Sequence, residues 1–135
     1  MKNQDEKLNA LIKEKFSGSF LNDTKWRKLI KALVQNHELV KECQVKFVYD
    51  DKIRHLLIDG NEYEYFDYYQ KAMESMVTHP ITPGWTLYKE IQWINFPAST
   101  EEGNQDISKI KGIINAIGMY ELEADSESLK VIAHR

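Results

Sequence analysis

Apolar residues recur along this chain in two rhythms, and the points where one gives way to the other set out an order of elements. Leu8, Leu11, Ile12 and Phe16 fall at helical spacing among lysines and glutamates. That predicts an amphipathic helix over 4–16, closed by Ser17-Gly18-Ser19, with residues 1–4 fraying at its start. Trp26, Leu29, Ile30, Leu33 and Val34 then recur at i, i+3, i+4, i+7 and i+8, and Lys25, Arg27, Lys28 and Lys31 fall off that stripe. A second helix over 24–36 follows, because Asn22-Asp23-Thr24 supplies side-chain oxygens for the unpaired amides of its first turn.

From Cys43 the rhythm alternates. Cys43, Val45, Phe47 and Tyr49 are separated by Gln44, Lys46 and Val48, the pattern of a half-buried strand. Asp50-Asp51-Lys52 turns the chain into a partner strand, Ile53 to Ile58, which ends at Asp59-Gly60-Asn61, where Gly60 can supply a positive φ. Residues 62–78 fit both rhythms. Tyr63 and Tyr65 alternate with Glu62 and Glu64, whereas Tyr69, Ala72, Met73 and Met76 take helical spacing, which predicts a helix over 67–78 capped by Asp67. His79 to Gly84, with two prolines, is irregular.

Thr86 to Phe96 reads as one strand, the central one, with Leu87, Ile91 and Trp93 facing inward. Residues 97–105 read as a polar, mobile loop. Ile107, Ile110, Ile114 and Ile117 mark a helix with Gly118 at a left-handed end, and Met119–Glu123 with Leu129–Ala133 make a terminal hairpin. The order is α-α-β-β-α-β-α-β-β: an α+β domain over 1–135 with an antiparallel sheet of about five strands and helices mainly on one face.

Composition narrows the class. At 135 residues, 42% hydrophobic and 29% charged, the chain can bury a core without staples, and its one cysteine, Cys43, excludes an internal disulfide. The charged start Met1-Lys2-Asn3-Gln4-Asp5-Glu6 is not a secretory leader, and no window approaches the roughly 18 apolar residues of a membrane span, so a cytoplasmic protein is expected. The net charge of −3 is uneven: residues 1–31 balance at +4, 32–79 at −4 and 80–135 at −3. With an isoelectric point near 5.8 the chain lacks the basic excess of a general nucleic-acid binder.

No nucleophile elbow, phosphate-cradling glycine loop or His-Glu-x-x-His pair is present. His37, His55, His79 and His134 share no metal-ligand spacing with one another or with Cys43, so neither cofactor nor metal is expected. His37 suits a helix C-terminus, His55 faces outward on its strand, His134 lies in the tail, and Cys43 reads as a small buried hydrophobe. Glu90, an acid in an apolar run, is either a buried general base or a member of a structural ion pair. An enzyme or ligand-binding domain would draw its pocket from Glu90, Trp93 and the 79–85 loop with His79.

Trp26 in the capped basic helix, the strand Tyr88-Lys89-Glu90-Ile91-Gln92-Trp93 and the late Ile-rich helix leading to a hairpin resemble a family of small bacterial proteins of unknown function. The resemblance runs from about residue 20 to the end and implies no catalytic residues. Small acidic α+β proteins of this type often serve as immunity partners of secreted bacterial toxins. The one unusual segment is 59–69, with four acids and four tyrosines in eleven residues and no cation before Lys71. Tyrosines concentrate in binding hot spots and carboxylates steer basic partners, so Glu62, Tyr63, Glu64, Tyr65, Asp67, Tyr68 and Tyr69 are candidate contacts for a basic protein. Asp67-Tyr68-Tyr69 looks like the acid-Tyr-Tyr patch of colicin-type nuclease immunity proteins, although those are all-helical. The alternative is that the tyrosines pack inward and only the acids face water.

Overall fold

A computed structural model describes residues 2–58, 71–74, 76–80 and 85–135. The described elements are α1 (Lys2–Lys15), α2 (Asp23–Gln35), a 3₁₀ turn (His37–Leu39), β1 (Gln44–Phe47), β2 (Ile53–His55), β3 (Ala72–Glu74) and β4 (Trp85–Leu87). A second 3₁₀ turn (Tyr88–Glu90) leads to β5 (Ile91–Pro97), β6 (Ser99–Thr100), β7 (Gly103–Asn104), α3 (Ile107–Ile117), β8 (Leu122–Ala124) and β9 (Ser128–Ile132).

The helices start where capping side chains stand. Asn22 Oδ1 accepts the Lys25 amide at 2.8 Å to open α2, and Asp106 Oδ1 accepts the Lys109 amide at 3.1 Å to open α3. The apolar stripe of α2 is buried throughout, and Ile110 and Ile114 of α3 meet the same core. Gly118 closes α3 with φ 161°, an extended conformation in place of the left-handed one expected from its position.

Five antiparallel strands form the main sheet in the order β2-β1-β5-β9-β8, so β5 is central as the pattern predicts. Val45 of β1, Ile94 and Phe96 of β5, and Leu129 and Val131 of β9 point into the core shared with α2 and α3. The architecture is α+β, with α2 and α3 on one face.

Two elements differ from the sequence reading. The helix expected over 67–78 is instead strand β3 at Ala72–Glu74, which pairs with β4 through Ala72↔Leu87, Met73↔Thr86 and Glu74↔Trp85; residues 67–70 and 75 lie outside the described residues. Ala72, Met73 and Met76 are all buried, so the apolar spacing that fits a helix turn is here filled by a short strand and the residues after it. The single strand expected from Thr86 to Phe96 is broken in two by the turn at Tyr88–Glu90. Phe47 then pairs with Ile91 while Lys46 pairs with Trp93, so Gln92 is the extra residue of a β-bulge. The bulge places Ile91 and Ile94 on the same face. It turns Trp93, expected inward, to the opposite face, and Leu87 is only half-buried.

Within 97–105, β6 and β7 form a two-residue hairpin whose turn places Gly103 at φ 112°, a conformation that favours glycine. Buried Gln105 ties this segment down: its Nε2 donates to Glu42 O at 2.9 Å and Pro97 O at 2.7 Å, and its Oε1 accepts the Lys41 amide at 2.9 Å.

Candidate functional site

The bulge and the second 3₁₀ turn put Glu90 among polar groups drawn from three parts of the chain. Glu90 is 4% exposed. Tyr49, one residue past the buried end of the β1 segment, donates its hydroxyl to Glu90 Oε1 at 3.3 Å, and Leu87 N–H donates to Oε2 at 3.2 Å. Alongside, Arg54 of β2 lies over the Phe47 ring at 4.5 Å. Its guanidinium grips Asp50 through two bonds of 3.0 and 3.2 Å, and its Nε donates to His79 O at 2.9 Å.

The electrostatics follow from this packing. Burial raises the pKa of Glu90 above the usual carboxylate value, and the Tyr49 and Leu87 donors together with Arg54 offset that only in part. Burial, with the Glu90 charge beside it, raises Tyr49 well above the ordinary phenol value. Asp50 moves the other way, held low chiefly by its hydrogen bonds from Arg54. Both Glu90 oxygens already receive a donor, and the Leu87 bond closes the turn that starts β5. The group acts as a fastening between β1, the 3₁₀ turn and β5.

The three residues of the expected pocket do not converge. Trp93 lies on the opposite sheet face, opposite Ile132, with Lys130 Nζ 4.3 Å from its ring centroid. His79 contributes its carbonyl through Arg54, while its side chain is exposed and its backbone takes φ 49°. Tyr49, Asp50 and Arg54 were not among the expected site residues. Asp50 and Arg54 are an i, i+4 pair across the first hairpin, which a charge-pattern reading can find. Tyr49 meets Glu90 across 41 positions, and nothing local announces it.

This cluster also stands beside the base of the acidic, tyrosine-rich segment. After β2, Leu57 N–H donates to Met76 O at 2.7 Å, Thr78 N–H donates to His55 O at 3.0 Å, and Leu56 bridges Val77. The chain therefore leaves the sheet at Ile58 and rejoins it beside the same strand. Glu62, Tyr63, Glu64, Tyr65, Asp67, Tyr68 and Tyr69, and with them Gly60, lie outside the described residues.

The remaining candidate groups are structural in their surroundings. Burial pushes the Cys43 thiol far above its ordinary value, unsuited to a nucleophile. Among the described residues no three His, Cys, Asp or Glu side chains are grouped to hold a metal ion, and no helix is long and apolar enough to cross a membrane. His55 faces outward as expected and pairs with Glu42 at 3.4 Å. His134 does not lie free in a tail: it is 5% exposed and bonded to Ser19.

No curated protein and no solved structure matches the chain. A family described as one of unknown function, DUF6678, matches residues 8–111, which runs from the middle of α1 through α2, the Glu90 cluster and segment 59–69 into α3 and stops before β8 and β9. That match starts earlier than the resemblance read from the motifs and does not extend to the terminal hairpin. With 8–111 covering most of the 135 residues, the chain belongs to this family of unknown function.

Proposed function

We propose that this chain, acting as one cytoplasmic domain over 1–135, is a non-enzymatic protein-interaction module. In this reading it blocks a basic partner by occupying its surface, as immunity-type inhibitors of toxin domains do. The observation that carries the reading is the density of acids and tyrosines at 59–69 without a cation among them. Tyrosine gives large contact area at low entropic cost, and carboxylates quicken encounter with a positive surface. The contacts Leu56–Val77 and Leu57–Met76 support it, because they hold together the ends of the longer stretch that contains 59–69, which leaves that stretch less freedom to lose on binding than a chain with free ends. The engaged state of Glu90 supports it too, since the acid most suspect as a catalyst is already committed to Tyr49 and Leu87.

The test is affinity capture from the native host, followed by a binding titration of the purified pair. The expected result is one basic partner whose affinity falls as salt rises, and a loss of about 2 kcal/mol or more for each of Tyr68→Ala and Tyr69→Ala. A partner bound equally well by a Glu62→Gln, Glu64→Gln, Asp67→Asn, Tyr68→Ala, Tyr69→Ala variant would refute the reading.

A further inference from the structure

Beside the Tyr88–Glu90 turn, residues 16–20 run antiparallel to the C-terminal residues. Arg135 N–H donates to Gly18 O at 3.0 Å and Phe20 N–H donates to Ala133 O at 2.8 Å, which makes Ser19 and His134 a non-hydrogen-bonded pair. In such pairs the side chains lie close while the amides point away from the partner strand. Ser19 Oγ accordingly sits 2.8 Å from His134 Nδ1. The other ring nitrogen, Nε2, is 3.1 Å from Lys89 O. A carbonyl can only accept, so Nε2 carries the hydrogen and the Nδ1 lone pair faces the serine hydroxyl. His134 is almost wholly buried and its ring is held beside Phe16, centroids 5.6 Å apart, whereas Ser19 is exposed.

Three parts of a nucleophilic site are thus in place. A hydroxyl is within hydrogen-bond reach of a base, the base is oriented by a third group, and the hydroxyl opens on a cleft. The cleft, about 470 Å³ and open to solvent, is lined by Ser19 together with Asn9, Ile12, Lys13, Phe16 and the turn before the serine. The Ser19 amide, turned away from its partner strand, has no backbone acceptor among the described residues and would be the donor to an oxyanion. Burial lowers the pKa of His134, which keeps the ring a neutral base near pH 7.

We propose that Ser19 is a nucleophile served by His134 as general base, and that the cleft takes small carboxylic esters. Ser19 Oγ bonds to the carbonyl carbon as its proton passes to Nδ1. The ester C–O bond then breaks, with that proton delivered to the departing alcohol. Water attacks the acyl-serine by the same route, Nδ1 taking its proton and returning it to Oγ, and the carboxylic acid leaves. This activity uses no residue of segment 59–69; it leaves the partner-binding part of the proposed function in place and replaces only its non-enzymatic part.

The test treats the full chain with a fluorophosphonate probe and with p-nitrophenyl acetate, and locates the label by mass spectrometry. Label is expected on Ser19, reduced at least tenfold in Ser19→Ala and His134→Gln and unchanged in Ser126→Ala, which is exposed in the distant β8–β9 turn. In the unaltered chain, the labelling rate is expected to be flat at neutral pH and to fall as pH drops through the lowered His134 value below 6.5. Absence of label on Ser19, or a labelling rate insensitive to both pH and a folded His134→Gln variant, would leave the pair as a strand fastening and overturn the proposal.

Discussion

Glu90 shows how one residue can be conspicuous in the sequence and still serve the fold. Its carboxylate is buried, and a buried acid ionises at a cost that its donors only partly offset. The folded-state pKa is raised above 4.5, so its contribution to stability is complete below that value and is lost as pH rises through the raised one. Glu90→Gln keeps the shape and an acceptor for Leu87 N–H but cannot ionise. The variant is expected to gain urea midpoint relative to the unaltered protein as pH rises from about 4.5 toward neutrality, after which the difference levels off. A constant difference across that range would mean that Glu90 does not titrate in a buried setting. Trp26 is simpler. It is buried and stacked on Tyr88 at 6.2 Å and 10°, a role its place in the α2 stripe already foretold.

Among the elements, legibility followed locality. The first hairpin, α2, α3 and the terminal hairpin are each specified by residues within a few turns of one another, and all four form in the expected order, the terminal hairpin starting at Leu122 rather than Met119. Their caps carry measurable weight: Asn22→Ala and Asp106→Ala are each expected to cost about 1 kcal/mol in chemical unfolding, because each leaves a first-turn amide without its acceptor. Equal midpoints for parent and variants would show that the caps are incidental. Strand β3 was illegible because its backbone partners lie in β4, so the pairing that overrides helical spacing cannot be seen from 67–78 alone. The outward turn of Trp93 has the same origin. A strict alternation through Ile91 and Trp93 holds only without the extra residue at Gln92, and the bulge is set by pairing with Phe47.

Across the whole molecule the contacts that shape candidate sites join distant positions. Ser19 and His134 are 115 apart, and Tyr49 and Glu90 are 41 apart, so neither pairing leaves a mark on local pattern; Glu90 alone was legible, as an acid in an apolar run. Burial of His134 and the Arg54 bonds to Asp50 set the acid response. His134 and Asp50 both have folded-state pKa values below their ordinary 6.5 and 3.8, so their contributions are complete above those values and are lost as pH falls through the lowered ones. Relative to His134→Gln, the urea midpoint of the unaltered protein is expected to fall as pH drops below 6.5, and relative to Asp50→Asn it is expected to fall below pH 3.8. Differences that stay constant with pH would contradict the assignment. Tyrosine nitration of the free protein, read residue by residue by mass spectrometry, tests the proposed contact role of 59–69 most directly. Tyr63, Tyr65, Tyr68 and Tyr69 are expected to react readily while Tyr88, with no exposed surface, stays protected. Protection of those four tyrosines equal to that of Tyr88 would place them in the core and contradict the account.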